Sequence, residues 1–356
     1  MSRQIKQMWE TLRQAGLIEG AAPETGKLES PWYVKILLAF SGWLAAVFLL
    51  GFIGMGFEFV FKNSIAAFII GGIMIGGAFA ILRIPKNEFV EHLGLAVSLA
   101  GQALIVFTIF EISNHNEKIA WMLVALMQVS LAVIMPNFVH RCFSSFFAVF
   151  AFSMTMTIMG WHTVVSGTVM LLAAMCWLNE FNYPQHMMKI RAIGYGLVLA
   201  LISLKGTALF GFRTMGWHSL TNQSEIWAKT WLDELLIGAV TLYVVWHLLQ
   251  QYKKTISQHL SIAALLGALL LCAVSIEVNG ITIGIVIMLL GFAGTNRVLL
   301  GLGIISLLFY ISSYYYLLDT TLLDKSRSLF IVGLVMLIIH WLMIHFLPVK
   351  KEAPHA

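Results

Sequence analysis

The stretch SIAAFIIGGIMIGGAFAILR, residues 64–83, sets the fold class of this chain. It is as long as a helix must be to cross the hydrocarbon core of a bilayer, about 20 residues. It carries no charge before Arg83, its last residue. Because backbone N–H and C=O groups find no water in lipid, a run of this kind is expected to form a membrane-spanning helix.

Similar runs recur along the chain and predict an all-α fold, a polytopic transmembrane helix bundle of about 12 spanning helices. The predicted spans are residues 32–57, 64–83, 89–111, 119–136, 138–158, 161–179, 190–210, 231–250, 257–276, 279–295, 297–317 and 328–347. The runs have helix length, which excludes an outer-membrane barrel, whose strands show about ten residues of alternating pattern. The breaks near 136, 158–161 and 296 are short, so the count is eleven or twelve.

The composition agrees with a membrane protein. Of the 356 residues, 59% are hydrophobic and 11% are charged, whereas a soluble domain has about 25% charged residues. The net charge of +5 is spread too thinly for a surface that binds polyanions. Soluble enzymes, disordered chains and nucleic-acid binders are therefore excluded, and the expected environment is the lipid bilayer, with no nucleic-acid partner.

The basic residues predict the orientation of the spans. Fourteen of the 22 Lys and Arg residues, Arg141 among them, fall on the side of the termini, and six fall on the other side. By the positive-inside rule, both termini are cytoplasmic. Lys205 lies deepest, about five residues from the end of its helix, and is expected to snorkel to the headgroups.

The predicted organisation has a short cytoplasmic segment at each end. In residues 1–30, Ile5, Met8, Trp9 and Leu12 follow helical spacing and predict an amphipathic helix on the inner leaflet. Docking of this helix onto the bundle or a partner is the alternative. Residues 31–347 form the transmembrane domain, and 348–356 a cytoplasmic tail.

A weak self-similarity suggests three parallel four-helix repeats, 32–136, 138–250 and 257–347. Leu93-Gly94, Ile193-Gly194 and Leu300-Gly301 each open a helix that follows a basic loop. The alternative is that apolar helices resemble one another by composition alone. Two GxxxG pairs in corresponding helices, Gly72/Gly76 and Gly280/Gly284, predict either close helix packing or, with Gln102, the wall of a substrate cavity.

The sequence contains no recognisable set of catalytic residues. Metal-binding spacings such as HExxH are absent from the sequence. The three cysteines stand alone, without CxxC spacing. We therefore expect no enzyme, no catalytic residue, no metal and no cofactor.

Aromatic and polar residues gather on the predicted outer side and form a candidate docking surface for a partner. Its two parts lie in the loop and helix start 211–234 and in the segment 314–326. Its residues are Trp217, His218, Trp227, Trp231, Tyr314, Tyr315, Tyr316 and Asp319. An interfacial aromatic belt is the alternative interpretation.

Residues near both ends of the chain resemble a known family. Pro31-Trp32-Tyr33-Val34, Gly42-Trp43, Asn296-Arg297, Tyr314-Tyr315-Tyr316 and Lys325-Ser326 resemble the bacterial membrane family called domain of unknown function 4401. The family pattern has Gly before the Asn-Arg pair, where this chain has Thr295. The resemblance implies a multi-pass bacterial inner-membrane protein of no assigned activity, with a small membrane-anchored partner that carries a GDYxxLxY motif.

Two functions follow as hypotheses. The first is the membrane subunit of a complex with that partner, docked on the candidate surface. The alternative is a transporter or flippase-like carrier of a neutral or lipid-like solute. A polar cavity at the bilayer midplane favours the carrier, whereas a solid apolar centre favours the complex.

Overall fold

The computed structural model describes residues 63–84, 88–114, 116–214, 223–251, 258–275, 280–317 and 321–324, with isolated positions within 11–55 and 326–337. These residues are helical or lie in the turns between helices, and no β-strand occurs among them. The predicted amphipathic helix of residues 1–30 and most of the first and last predicted spans lie outside the described residues.

Ten α-helices are found in the described part of the chain. They are α1 Ser64–Arg83, α2 Glu88–Ile112, α3 Glu117–Ile134, α4 Phe138–Ile158, α5 Val165–Leu178, α6 Met187–Thr214, α7 Gln223–Gln251, α8 Gln258–Ser275, α9 Ile281–Ala293 and α10 Arg297–Leu317. Short 3₁₀ turns cover His162–Val164, Glu180–Asn182 and Pro184–His186. The positions match ten of the twelve predicted spans.

Six helices of the described part are long and apolar enough to cross a membrane. They are Ser64–Arg83, Val90–Ile112, Glu117–Ile134, Phe138–Ile158, Pro184–Thr207 and Leu232–Gln251. Three shorter apolar helices accompany them, at His162–Leu178, Ile281–Ala293 and Arg297–Ser313. At about 1.5 Å per residue, the 13 residues of α9 extend only about 20 Å.

Asparagine side chains cap the N-termini of several helices. Asn63 Oδ1 accepts hydrogen bonds from the amides of Ile65 and Ala66, at 3.0 and 3.3 Å. Asn116 caps α3 and Asn137 caps α4 in the same way. Each cap supplies an acceptor to an amide that has no partner inside its helix, which fixes where the helix begins.

The chain divides into two compact units, Met1–His115 and Asn116–Ala356. In the first unit, α1 packs on α2 through glycines: a Cβ on Gly71 would lie 2.8 Å from the carbonyl oxygen of Gly101, and the reverse holds for Gly101. The Thr108 hydroxyl also donates to the Ser64 carbonyl, at 3.2 Å. Small residues thus bring the two backbones together, as is common between helices in lipid.

The second unit has a continuous apolar core. Side chains of α4, α5, α6, α7, α9 and α10 fill it, including Val149, Val169, Leu201, Ile287 and Leu299. A glycine places α6 against α4, because a Cβ on Gly196 would overlap the Cys142 carbonyl oxygen and lie 2.6 Å from the Ser145 Cβ. This packing fixes the position of α6, the helix that carries the charged residues Arg191 and Lys205.

Candidate functional site

A buried charge cluster joins α6, α7 and α8. Lys205 Nζ donates hydrogen bonds to Asp233 Oδ2 at 2.6 Å and to Glu234 Oε1 at 2.7 Å. Ser275 Oγ, at the end of α8, donates to Glu234 Oε2 at 3.1 Å. We call these four residues the Lys205 cluster. It gives both Glu234 oxygens a donor and ties three helices together.

The Lys205 cluster is largely buried, and it has one basic group for two acidic groups. The side chains of Lys205, Asp233 and Glu234 are 7%, 14% and 2% exposed. One ammonium faces two carboxylates, and Asp233 Oδ1 is buried without a hydrogen-bond partner in the described part of the chain. Ionisable groups inside a membrane protein are costly and commonly mark functional positions.

The expectation that Lys205 snorkels to the headgroups is wrong. The lysine is buried and held by two carboxylates from the next helix. The signal in the sequence was the Asp233-Glu234 pair at the start of the following span. A count of residues from a helix end cannot show which neighbour packs against the side chain.

Tyr310 of α10 supports α6 next to the Lys205 cluster. Its hydroxyl donates to the Ile202 carbonyl at 3.1 Å, three residues before Lys205. The ring packs on Gly280, where a Cβ would lie 2.7 Å from a ring carbon. Gly280 has a φ of +97° and is the residue before α9. This left-handed turn and the close ring together require glycine.

A second buried ion pair lies near the start of α6. Arg191 donates through Nε to Glu180 Oε2 at 3.2 Å and through a terminal nitrogen to Glu180 Oε1 at 3.3 Å. The Glu180 side chain is fully buried and that of Arg191 is 30% exposed. Here one guanidinium meets one carboxylate in the bidentate geometry typical of this pair.

The turn between α9 and α10 is bonded to the same end of α6. The Tyr195 hydroxyl donates to Asn296 Oδ1 at 2.8 Å, and the same oxygen caps α10 by accepting from the Val298 and Leu299 amides. Thr295 has a φ of +50°. Where the family pattern has Gly before the Asn-Arg pair, this chain therefore forms a turn with threonine in the left-handed position.

Much of the predicted docking surface lies outside the described residues. Trp217, His218 and Asp319 belong to that part, and the description of Trp227, Trp231 and Tyr314 covers the helical backbone alone. Tyr315 and Tyr316 have ring centroids 5.8 Å apart, and Tyr316 is exposed at the end of α10. These two rings are the part of the predicted surface that the structure brings together.

The residues predicted for packing or a cavity fall into two groups. A Cβ on Gly72 or Gly76 would meet no atom within 4 Å, so this pair makes no close helix contact in the described part, where Gly71 and Gly101 make it instead. A Cβ on Gly284 would lie 3.1 Å from the Leu307 backbone. The two GxxxG pairs thus differ in their surroundings.

Gln102 is the remaining residue of that prediction. It is buried in α2, and its amide nitrogen donates to Ser98 Oγ, one turn earlier, at 3.3 Å. The contact lies within one helix, so it gives no direct sign of a cavity wall.

The chemistry available to the site is electrostatic. Within the described ranges, no group of three or more His, Cys, Asp or Glu side chains is arranged to hold a metal ion. The Lys205 cluster offers an excess carboxylate oxygen, which accepts a hydrogen bond or a positive charge from a neighbour. That capacity to accept a donor is the chemical feature that distinguishes it from the Arg191–Glu180 pair.

Six described helices are long and apolar enough to cross a membrane, which fits a helical membrane protein. The family described as Domain of unknown function (DUF4401) matches residues 31–345. The chain therefore belongs to this family. No curated protein and no solved structure matches it.

Proposed function

We propose that this chain is the membrane subunit of a two-component complex in a bacterial inner membrane. The partner is a small membrane-anchored protein with a GDYxxLxY motif, as the family resemblance implies. The proposal is supported by membership of the family and by the presence of Asp233 and Glu234 at the end of the predicted docking segment 211–234.

The uneven charge of the Lys205 cluster is the observation that carries this proposal. Asp233 follows Trp227 and Trp231 of the predicted docking surface in the same helix, α7. Its Oδ1 atom is the buried oxygen for which the described residues supply no donor. A donor from a bound partner satisfies this oxygen, so partner binding gains a charge-assisted hydrogen bond at that position.

The packed core supports a complex over a carrier. Apolar side chains of six helices fill the centre of the described part of the second unit. Such groups offer no ligands to a polar solute. The short α9 and the buried charges of the Lys205 cluster are the features that favour a carrier.

For the membrane topology we propose eleven or twelve spans, both termini in the cytoplasm and three repeats of four helices. Helices at ten predicted positions support the number of spans. The excess of basic residues on one side supports the orientation. The repeats rest on the sequence self-similarity alone, since the two GxxxG pairs have different surroundings.

Co-purification in mild detergent without crosslinking tests the proposed complex. Asp233→Asn keeps the side-chain shape, leaves Lys205 paired with Glu234, and is expected to reduce partner recovery at least fivefold. Tyr316→Ala tests the exposed ring, and Trp217→Ala and Trp227→Ala test the other segment. Glu117→Gln removes an exposed carboxylate at the start of α3 and serves as the control. Full recovery with all four docking variants contradicts the proposed surface.

A further inference from the structure

The first two turns of α4 contain four buried polar side chains, His140, Arg141, Ser144 and Ser145. Residues four apart on a helix lie side by side, so they form two rows, His140 with Ser144 and Arg141 with Ser145. His140 Nδ1 and Ser144 Oγ are hydrogen-bonded at 3.2 Å. The first row is therefore satisfied within the helix.

The second row has no such partner. Arg141 is 7% exposed and Ser145 is 3% exposed. The Nε atom of Arg141 and the Oγ atom of Ser145 are both buried without a hydrogen-bond partner. From the sequence, Arg141 is expected to be one of the basic residues on the cytoplasmic side. In the structure it is buried on α4.

Arg141 has no ion-pair partner, in contrast to every other buried charged side chain in the described residues. Glu180, Lys205 and Glu234 each form an ion pair. A guanidinium stays charged at all relevant pH values. A buried charge without a counter-charge is strongly unfavourable, so the arrangement calls for an anion that the described residues do not supply.

The packing around the Arg141–Ser145 row shows which part of α6 lies beside it. Gly196 lets α6 contact α4 at Ser145, and the Phe138 and Tyr195 rings meet edge to face with centroids 6.1 Å apart. Arg141 therefore lies near the start of α4, where the first turns of α6 pack against it. Lys189 and Arg297 add exposed positive charge near the starts of α6 and α10.

We propose that Arg141 and Ser145 form an anion site that binds a phosphate group. A guanidinium matches two phosphate oxygens, and the Ser145 hydroxyl donates to an oxygen in the same group. Basic pockets between membrane helices bind the headgroups of anionic lipids. An inorganic phosphate ion offers the same chemistry, and the experiment separates the two sources.

The test uses the purified full chain, delipidated in an uncharged detergent. Phosphatidylglycerol, inorganic phosphate or diacylglycerol, which has no phosphate, is added. Native mass spectrometry counts bound molecules, and thermal unfolding gives the Tm. Binding of phosphatidylglycerol alone assigns the site to a lipid headgroup, and binding of inorganic phosphate assigns it to a soluble anion. Equal results with all three additives overturn the proposal.

Arg141→Gln tests the proposal through the direction in which the Tm of the ligand-free protein changes. Without a phosphate ligand the variant is expected to raise the Tm, because it removes an unpaired buried charge. With phosphatidylglycerol the wild type gains stability and the variant binds at least tenfold more weakly. Arg297→Gln, which removes an exposed arginine from the start of α10, is expected to bind as the wild type does. A lower Tm for Arg141→Gln without ligand overturns the proposal.

Ser145→Ala provides an independent measurement, because the Ser145 hydroxyl has no hydrogen-bond partner in the described residues whose loss would affect the fold. Removal of one hydroxyl is expected to weaken phosphatidylglycerol binding about fivefold, with the Tm of the ligand-free protein unchanged. An unaltered affinity shows that Ser145 does not touch the ligand and contradicts the site as proposed.

Discussion

Helix α6 carries two buried ion pairs that differ in their charge balance. Arg191 near its start and Lys205 further along are fourteen residues apart, about 21 Å along the axis. Arg191 meets one carboxylate, that of Glu180, in a bidentate contact. Lys205 meets two, those of Asp233 and Glu234. The first pair is neutral and partly open to solvent, whereas the second is closed and carries an excess negative charge.

This difference separates a structural contact from a candidate functional one. A balanced pair needs nothing further from its surroundings. An unbalanced cluster keeps an acceptor, Asp233 Oδ1, for which the described residues supply no donor. The comparison predicts that the Lys205 cluster responds to a partner and that the Arg191–Glu180 pair does not.

The largest effect is expected for Lys205→Met. The variant leaves two buried carboxylates without their counter-charge, and removal of one partner from a buried ion pair costs about 3–5 kcal/mol. Unfolding by denaturant in detergent micelles measures the loss. Lys189→Met removes an exposed lysine of the same helix and should change stability by less than about 0.5 kcal/mol. Equal effects of the two variants would remove the distinction on which the comparison rests.

Gly280→Ala is expected to cost about 2–3 kcal/mol, since it adds strain at a φ of +97° to an overlap with the Tyr310 ring. The ring supports α6 beside Lys205, so partner recovery should fall as well. Gly267→Ala is the matched control, because a Cβ there meets no atom within 4 Å. A stable Gly280→Ala protein would show that the turn before α9 does not hold Tyr310 in place.

Arg191→Met should have a smaller effect than Lys205→Met. It removes two hydrogen bonds to one carboxylate, and hydrogen bonds to charged groups contribute about 1.5–3 kcal/mol. Water can reach the 30% exposed end of the contact, so we expect a loss of about 2 kcal/mol. Thermal unfolding measures it, and partner co-purification should stay at the wild-type level. A drop in recovery at equal stability would assign a binding role to this end too.

The smallest effect is expected for Thr295→Gly, which should stabilise the protein by up to about 1 kcal/mol. Thr295 has a φ of +50°, and a β-branched residue pays a penalty there that glycine avoids. The greater freedom of glycine in the unfolded chain offsets part of this gain. The Tm of purified protein is the measurement. A decrease would mean that the threonine side chain makes a contact that outweighs the strain.

The helix positions could be predicted from sequence because they depend on local features. Residues 64–83, 138–158 and 297–317 were predicted with the bounds that the structure shows. The doubtful breaks contain Pro136, Gly160 with a φ of +75°, and Thr295 with a φ of +50°. Each of these residues either lacks an amide hydrogen or adopts a backbone conformation that ends a helix.

The residues that pair could not be predicted in the same way. The spacing of Gly72 and Gly76 matches a packing motif, yet Gly71 makes the close contact. Arg141 looked like one more basic residue near a helix end, and Lys205 like a side chain free to extend to the surface. Which face of a helix is buried depends on its neighbours, and apolar helices in lipid show little difference between faces.

The sequence by itself determined that this is a helical membrane protein and where the described helices lie along the chain. These properties follow from the cost of unsatisfied backbone groups and charges in lipid, which each segment meets alone. Only the tertiary structure decided that Lys205 has two acidic partners, that Arg191 has one and that Arg141 has none among the described residues. Such partnerships depend on how helices distant in sequence pack, because a buried charge is stabilised by what lies within about 4 Å of it.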